Sequence, residues 1–172
     1  MRPLKWTNIK NNFIGLIKPR NFEQELAFDM LNDSSTTVKV LTGQFGCGKT
    51  YLMASQALSL LEKGTYEKIV WVRNNVEVKD SEPIGFLKGD FFDKMLPFVM
   101  PLADHVGGIE GIKFLMDKQQ LEIQHLGFMR GRDIKKSIIL VSEAENLTTS
   151  NVKLLVGRVG EGSQIWFDGD LQ

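Results

Sequence analysis

The chain is poor in the residues that build disulfides and metal clusters. It has one cysteine, Cys47, and two histidines, His105 and His125, neither of which stands in a ligand pattern. One cysteine excludes an internal disulfide, and this donor set excludes a zinc site of the usual kind. Such a composition is typical of a protein of the reducing cytoplasm, which is the location we expect.

Long hydrophobic runs and an excess of one charge are also missing. No apolar stretch approaches the roughly 20 residues that span a bilayer, so we expect no membrane partner. The apolar segment 13–17 behind the basic N-terminus is too short for a secretory signal. Basic and acidic residues number 21 each, so any nucleic-acid surface must be a local patch. The 172 residues fit one domain, 21–172, behind a basic arm, 1–20, that is either partly ordered or disordered.

What is present is a glycine-rich loop, Gly43-Gln44-Phe45-Gly46-Cys47-Gly48-Lys49-Thr50. Its spacing, G-x-x-x-x-G-K-[ST], is that of the phosphate-binding loop of nucleotide-hydrolysing enzymes. A β-rich segment, 37–41, precedes the loop. Apolar residues at helical spacing follow it from Leu52 to Leu61, and Gly64 stands where a helix would stop. Strand, loop and helix in this order are the context that the motif requires, whereas a plain connecting turn would not need Lys-Thr in register.

The loop predicts how a nucleotide would be held. Its glycines let successive N–H groups face a bound phosphate at a helix N-terminus. Lys49 would reach the β- and γ-phosphates, and the Thr50 hydroxyl would ligate Mg²⁺. For Phe45, a contact with the base is one interpretation, but we prefer packing under the loop. The predicted nucleotide contacts are Gly43, Gln44, Phe45, Gly46, Cys47, Gly48, Lys49, Thr50 and Tyr51.

Strands and helices alternate along the rest of the chain. Asn21 is placed to cap a helix over 22–31, and further helices are expected over 111–118 and 152–159, with a proline-interrupted one over 91–102. Buried-type strands are expected at 66–73, 137–141 and 163–167, with a short one at 121–124. This order predicts an α/β fold of three layers, a RecA-like P-loop domain on a mostly parallel sheet.

Acidic residues follow the strand at 137–141, where a P-loop enzyme needs a carboxylate for its metal and another for water. The residue at the expected metal-holding position is Ser142, which can accept from a Mg-bound water but brings no charge. Glu143 is placed to polarise attacking water. The alternative for this segment is a solvated acidic helix cap.

The last expected strand is followed by Gly169-Asp170-Leu171-Gln172. From this place Gln172 would contact the γ-phosphate or the attacking water. Asp168 or Asp170 would partly replace the carboxylate that is missing at position 142. The alternative is a plain β-turn, because this composition is rich in turn residues.

Four arginines are further candidates. Arg130 and Arg132 form the densest basic patch and would grip phosphates, unless they belong to a solvated turn. Arg158 would act in trans as an arginine finger, although a surface charge is the simpler interpretation. Arg73 stands at a strand end, where many α/β sheets place ligand-facing residues, with a structural ion pair as the alternative. Trp71 and Trp166 are expected in the core.

These motifs together resemble the PhoH family of P-loop ATPases, whose core is related to superfamily 1 helicases. The resemblance runs from Pro19 to Gln172. It rests on Pro19-Arg20-Asn21 with Gln24, on the loop 43–50, and on Arg73 with Gly85-Phe86-Leu87-Lys88-Gly89-Asp90, Lys94, Pro97 and Pro101-Leu102. It also rests on Met129-Arg130-Gly131-Arg132, Ser142-Glu143-Ala144-Glu145-Asn146 and the terminal Gly-Asp-Leu-Gln.

The resemblance implies that Gln24 reads the adenine base and that ATP and Mg²⁺ are the cofactors. It also implies work on single-stranded RNA, while rings are common among such domains. This sequence departs from the family at Ser142, where the family has Asp, at Glu145, where it has Gln, and at Asn74, where it usually has Pro. The family core also continues past the point where this chain stops. Ser142 keeps open the alternative of a nucleotide-gated binding protein with little hydrolysis. A small-molecule kinase, another P-loop class, is a further alternative.

Overall fold

A parallel five-stranded sheet forms the centre of the fold in the computed structural model, which describes residues 8–73 and 99–170. The strands in the described residues are β1 (Ile9–Asn11), β2 (Gly15–Ile17), β3 (Val38–Gly43), β4 (Lys68–Arg73), β5 (Leu121–His125), β6 (Ser137–Ser142) and β7 (Gln164–Asp170). The sheet order is β3-β7-β6-β4-β5, with every neighbouring pair parallel. The carboxyl ends of all five strands therefore meet at one edge, which we call the carboxyl edge.

Helices cover both faces of the sheet. Those whose bounds lie within the described residues are α1 (Phe22–Asn32), α2 (Lys49–Glu62), α3 (Gly108–Asp117) and α4 (Thr149–Val156), with 3-10 turns at Leu126–Met129 and Ala144–Asn146. One apolar core joins α1, α2 and α3 to the face that carries Trp71 and Trp166. A second core packs α4 and the first 3-10 turn against the opposite face. The three-layer α/β architecture predicted from the sequence is confirmed.

The middle of the sheet follows directly from sequence. Every residue of β6 is buried, as a strand covered on both faces requires, and its run Ile-Ile-Leu-Val is apolar throughout. The predicted core positions of Trp71 and Trp166 are confirmed, since both indoles are fully buried. The Asn21 cap is confirmed as well, because its side chain accepts a hydrogen bond from the Gln24 amide at 2.9 Å.

The described part of the basic arm is folded against the domain. β1 and β2 form an antiparallel pair, and Ile9 and Ile17 are buried in the core with α2. The Asn11 side chain donates to the Ser55 carbonyl at 3.0 Å and accepts from two amides of the turn between the strands. The sequence predicted no strand here. For residues 8–20, the alternative of a disordered arm is wrong.

Several predicted boundaries were wrong. Strand β7 was expected to end at residue 167, but Thr42 and Gly43 of β3 pair with Gly169 and Asp170 and extend it. The alternative of a plain β-turn is therefore wrong for residues 169–170, which are strand. Helix α4 begins three residues earlier than predicted because Thr148 caps it, and it ends at residue 156. Helix α3 is likewise shifted toward the N-terminus by three residues at its start.

Some predictions fall outside the described residues. Of the helix expected over 91–102, only residues 99–102 are described, and the backbone is helical there and at residue 103. The family-like stretch at 85–97, Asn74 and Gln172 are not described, and neither is the side chain of Arg73. Within the described ranges, no helix combines the length and the apolar composition needed to cross a membrane.

Candidate nucleotide site at the carboxyl edge

The loop 43–50 lies at the carboxyl end of β3 and leads into the first turn of α2. Gly46 and Gly48 have φ of +77° and +91°, a conformation that L side chains rarely adopt. Gly48 precedes the first helical residue, and no side chain caps the helix there. The first turn of α2 therefore has no side-chain cap, and an uncapped helix N-terminus behind a glycine loop is an arrangement that binds phosphate.

Lys49 lies across this loop. Its ammonium donates to the carbonyls of Gly43 at 3.1 Å and Gln44 at 2.9 Å, and it forms an ion pair with Asp170 at 2.6 Å. Burial by itself would lower the pKa of Lys49, but the hydrogen bond to Asp170 and nearby negative charge raise it above its ordinary value. The ammonium is thus held charged beside the helix end where a phosphate would bind.

Thr50 contacts a carboxylate on the neighbouring strand. Its hydroxyl donates to Asp168 Oδ2, and the Glu143 amide donates to Asp168 Oδ1 at 3.2 Å. The Ser142 hydroxyl also hydrogen-bonds to this carboxylate. Burial raises the pKa of Asp168 above its ordinary value, although these three hydrogen bonds and the charge of Lys49 act in the other direction. Helix α2 and strands β6 and β7 thus bring two hydroxyls and one buried carboxylate together.

The residues after β6 form the side of the site opposite the loop. Glu143 adopts a left-handed backbone with φ of +57°, which is uncommon for a residue other than glycine. Glu145 approaches β7 closely, since its carboxylate accepts from the Asp170 amide at 3.1 Å. A Cβ on Gly169 would lie 3.1 Å from that same carboxylate oxygen, so only glycine fits there without a shift.

A cleft of about 600 Å³ opens between the loop and the β6 segment. That volume is in the range of small-molecule sites. The residues that line it are Phe45, Gly46, Gly48, Lys49, Thr50, Tyr51, Pro101, His105, Ser142, Glu143, Glu145, Asn146, Asp168, Gly169 and Asp170. The structure therefore brings most of the predicted loop residues together with Ser142 and Glu143.

Gln24 reaches the loop from helix α1. Its side-chain nitrogen donates to the Cys47 carbonyl at 3.3 Å, and its oxygen accepts from the Arg20 amide at 2.9 Å. It therefore lies over the loop but outside the residues that line the cleft. Its role toward a base stays a prediction.

Two aromatic positions differ from what the sequence suggested. Phe45 was expected to pack under the loop, and this is wrong, because its side chain is 92% exposed at the rim of the cleft. His105 was given no role, yet it lines the cleft with its ring 5.3 Å from that of Tyr51. The sequence signal that could have found it is Pro101, four residues earlier, in the stretch typical of the family.

Arg132 and Arg158 lie far from the cleft, at the amino ends of the strands. Arg132 pairs with Glu122 near the start of β5, and the Ile134 amide bonds to the Arg158 carbonyl just before β6 begins. β6 separates this end from Ser142 by about 16 Å. Arg130 is exposed near the same turn. Within one chain, none of these three arginines is among the residues that line the cleft.

A second ionic cluster occupies this amino edge. Glu122 accepts from Arg132 and from Lys68, the latter at 3.1 Å. Burial alone would raise the pKa of Glu122, but these two cations outweigh it and hold the pKa below its ordinary value. The adjoining cavity is small, about 170 Å³. The cluster is a paired, structural set of charges.

Comparison with protein families gives one match that covers most of the chain. The family model described as PhoH-like protein matches residues 16–172. Protein PhoH2 of Bacillus subtilis (strain 168) is 34% identical over 162 residues, which is 90% of this chain and 36% of that protein. The protein PhoH of Escherichia coli (strain K12) is 30% identical over 76% of this chain and 38% of its own length. The chain spans between 36% and 47% of the length of such relatives.

Solved structures with the same fold have little sequence in common with this chain. The large terminase of a thermophilic bacteriophage superposes with a TM-score of 0.52 at 10% identity, over 88% of this chain and 39% of that one. The Sulfolobus solfataricus SWI2/SNF2 ATPase core, solved in complex with dsDNA, superposes with a TM-score of 0.53 at 15% identity. This match covers 98% of this chain and 34% of that one. These likenesses confirm the P-loop ATPase fold.

Proposed function

The chain belongs to the PhoH family, and we propose that it binds Mg-ATP, hydrolyses it and uses this cycle to bind or remodel RNA. The observation that carries the proposal is the convergence at the carboxyl edge. There the loop ammonium of Lys49, the Thr50 hydroxyl and the buried Asp168 carboxylate surround one cleft of suitable size.

Each cleft residue has a role in this proposal. The loop amides and Lys49 hold the phosphates, and the ammonium exchanges its two backbone partners, the Gly43 and Gln44 carbonyls, for phosphate oxygens. Glu143 lines the cleft and polarises the attacking water. Gln24 contacts the adenine base through its polar amide, and Phe45 at the rim offers the base an apolar surface. Gln172, outside the described residues, would sense the γ-phosphate.

The donor set of this structure fits magnesium. Thr50, Ser142 and Asp168 offer only oxygens, and in the described residues no group of three or more His, Cys, Asp or Glu side chains forms a complete metal cage. Mg²⁺ is usually bound by one or two carboxylates together with substrate phosphates. When bound, it would neutralise charge that develops on the phosphates.

The proposed RNA partner rests on the family and on local basic residues. Arg130 and Arg132 lie at the amino edge, so RNA that contacts them would run along a surface other than the nucleotide cleft. Arg73 is a further candidate. Arg158 is remote from the cleft of its own chain, which leaves a role in trans across a ring interface as its proposed function.

A second candidate function is a nucleotide-gated binding protein with little or no hydrolysis. The observation that favours it is Ser142, an uncharged residue at the end of β6 where the family has Asp. In that case ATP binding would change the affinity for a partner without turnover.

Mg-dependent ATP hydrolysis, measured with and without single-stranded RNA, separates these functions. The matched variants are Lys49→Ala and Glu143→Gln. Turnover that RNA raises and that Glu143→Gln abolishes is the expected result. ATP binding by the unaltered protein with no turnover above the Glu143→Gln background would contradict the ATPase and favour the gated binder. Absence of ATP binding would contradict both.

A further inference from the structure

Asp168 occupies a distinct position among the acidic residues of the cleft. It lies in β7, between the loop strand β3 and the strand β6 that ends in Ser142. In the ladders, Leu41 pairs with Asp168 and Val141 with Phe167, so Ser142 and Asp168 are neighbours at the same level. The residue is 2% exposed, although it lines the cleft.

The hydrogen-bond partners of this carboxylate are neutral. They are the hydroxyls of Thr50 and Ser142 and the Glu143 amide. Asp170, two residues along the strand, is instead paired with Lys49 at 2.6 Å. Of the two aspartates that end β7, Asp168 therefore contacts the hydroxyls at the expected metal position, while Asp170 neutralises the loop lysine.

We propose that Asp168 supplies the carboxylate that holds the hydration shell of Mg²⁺, in place of the aspartate that the family has at position 142. The metal-holding carboxylate thus lies on β7 instead of on β6. The Ser142 hydroxyl donates a hydrogen bond to this carboxylate and fixes its orientation. Neighbouring strands are about 4.8 Å apart, so a carboxylate on β7 reaches the same volume as one on β6. This inference rests on the proposed binding of Mg-ATP.

The electrostatics of the pocket agree with this assignment. Burial raises the pKa of Asp168, and its neutral partners only partly offset that effect. A divalent cation next to the Thr50 hydroxyl would stabilise the ionised carboxylate. A carboxylate at position 168 also explains why position 142 has a serine. Two carboxylates side by side on β6 and β7 would repel each other, whereas a hydroxyl beside a carboxylate forms a hydrogen bond.

The test is an exchange of the two residues, read out by binding rather than activity. Affinity for the slowly hydrolysed analogue ATPγS is measured with and without Mg²⁺ in the full chain. The proteins are the unaltered one, Asp168→Asn, the double variant Ser142→Asp/Asp168→Ser, and Glu122→Gln as a control at the amino edge. Thermal unfolding of each protein verifies that it is folded.

We expect Mg²⁺ to tighten ATPγS binding to the unaltered protein and to Glu122→Gln. In the presence of Mg²⁺, Asp168→Asn should bind ATPγS about 10–100-fold more weakly than the unaltered protein, the range found for residues that act through a metal's outer shell. Without Mg²⁺ the two proteins should bind ATPγS with the same affinity. The double variant should recover most of the lost effect, because the carboxylate is restored one strand away.

Asp168→Asn that keeps the full Mg²⁺ effect would overturn the inference while the proposed function stands. A folded double variant that remains as insensitive to Mg²⁺ as Asp168→Asn would also overturn it. If the unaltered protein binds no ATPγS with or without Mg²⁺, the proposed function itself has failed.

Discussion

The two edges of the sheet hold similar carboxylates in opposite electrostatic settings. At the amino edge, Glu122 contacts the cations of Lys68 and Arg132, and its pKa is held below the ordinary value. At the carboxyl edge, Asp168 contacts two hydroxyls and an amide, and its pKa is raised. The first carboxylate is already paired within the fold.

The charges of the amino-edge cluster, beside a cavity of about 170 Å³, are satisfied within the fold. The buried carboxylate of Asp168 lines a cleft of about 600 Å³, and it is the one that we propose serves a cation. Basic residues of the amino edge are also paired within the fold. Arg132 is engaged with Glu122, so a role on RNA would require it to exchange this partner.

The largest expected effect compares one lysine from each edge. Lys49→Ala should lower kcat/KM for ATP by more than about 10²-fold, because it removes the cation that phosphates would meet in the loop. Lys68→Ala should change it less than about twofold, since Lys68 pairs with Glu122 at the far edge of the sheet. Steady-state ATPase assays measure both. Equal losses would contradict the division of the two edges.

Lys39, like Asp168, is a buried charged residue whose hydrogen-bond partner is neutral, but it lies outside the cleft. It therefore tests whether such a setting is enough to identify a functional residue. It is buried in β3, donates to the Leu31 carbonyl at 3.0 Å and lies 4.9 Å from the Trp166 ring, outside the residues that line the cleft. Burial lowers its pKa to about 8, although Asp33 acts in the other direction. We therefore expect it to weaken the fold without serving the site.

Between about pH 8 and 10.5 the unfolded chain binds more protons at Lys39 than the folded chain. The free energy of unfolding should therefore rise with pH across this window. Lys39→Met should increase the free energy of unfolding by about 1–2 kcal/mol at pH 7, after allowance for the lost hydrogen bond and ring contact. In this variant the free energy of unfolding should rise much less between about pH 8 and 10.5 than in the unaltered protein. Urea unfolding at several pH values measures this. The exposed Lys10→Met is the control, and a Lys39→Met protein with the same pH slope as the unaltered one would be the contrary result.

Glu122→Gln should lower the free energy of unfolding by about 1 kcal/mol at pH 7, because two cations lose a partner. The pKa of Glu122 is depressed in the fold, so its contribution is present above the unfolded value of 4.5 and is lost as pH falls through the folded one. The difference between variant and unaltered protein should therefore vanish in acid. Glu67→Gln breaks an exposed pair with Lys136 and should change stability by less than about 0.5 kcal/mol.

The smallest expected effect on stability is that of Phe45→Ala. Its ring is exposed, so the free energy of unfolding should change by less than about 0.5 kcal/mol. Nucleotide affinity should fall if the ring contacts the base, as its place at the rim suggests. Chemical denaturation and ATPγS titration on the same samples separate the two quantities. A loss of several kcal/mol in stability would restore the packing role that the sequence suggested.

Local sequence was sufficient where local chemistry decides the structure. The run at 137–141, the helix cap at Asn21 and the loop 43–50 each carry their own signal, and each forms as predicted. The two covered faces of the sheet followed from apolar strands that alternate with helices. The family followed from the order of several motifs along the chain.

Features that depend on distant partners could not be predicted in this way. Residues 169–170 extend β7 because Thr42 and Gly43 pair with them, and no signal within 163–172 reveals that ladder. The exposure of Phe45 and the burial of Ile9 likewise depend on which distant segments pack against them. The sequence left Asp168 and Asp170 as equal candidates, and only their partners distinguish them.

The most direct test of the account places a paramagnetic ion in the site. Mn²⁺ with ATPγS replaces Mg²⁺, and backbone amide resonances are followed by NMR, since those nearest to the ion broaden first. We expect the amides of Thr50, Glu143 and Gly169 to lose intensity while those of Glu122 and Lys68 persist. Broadening centred on the amino edge, with the carboxyl edge unaffected, would contradict it.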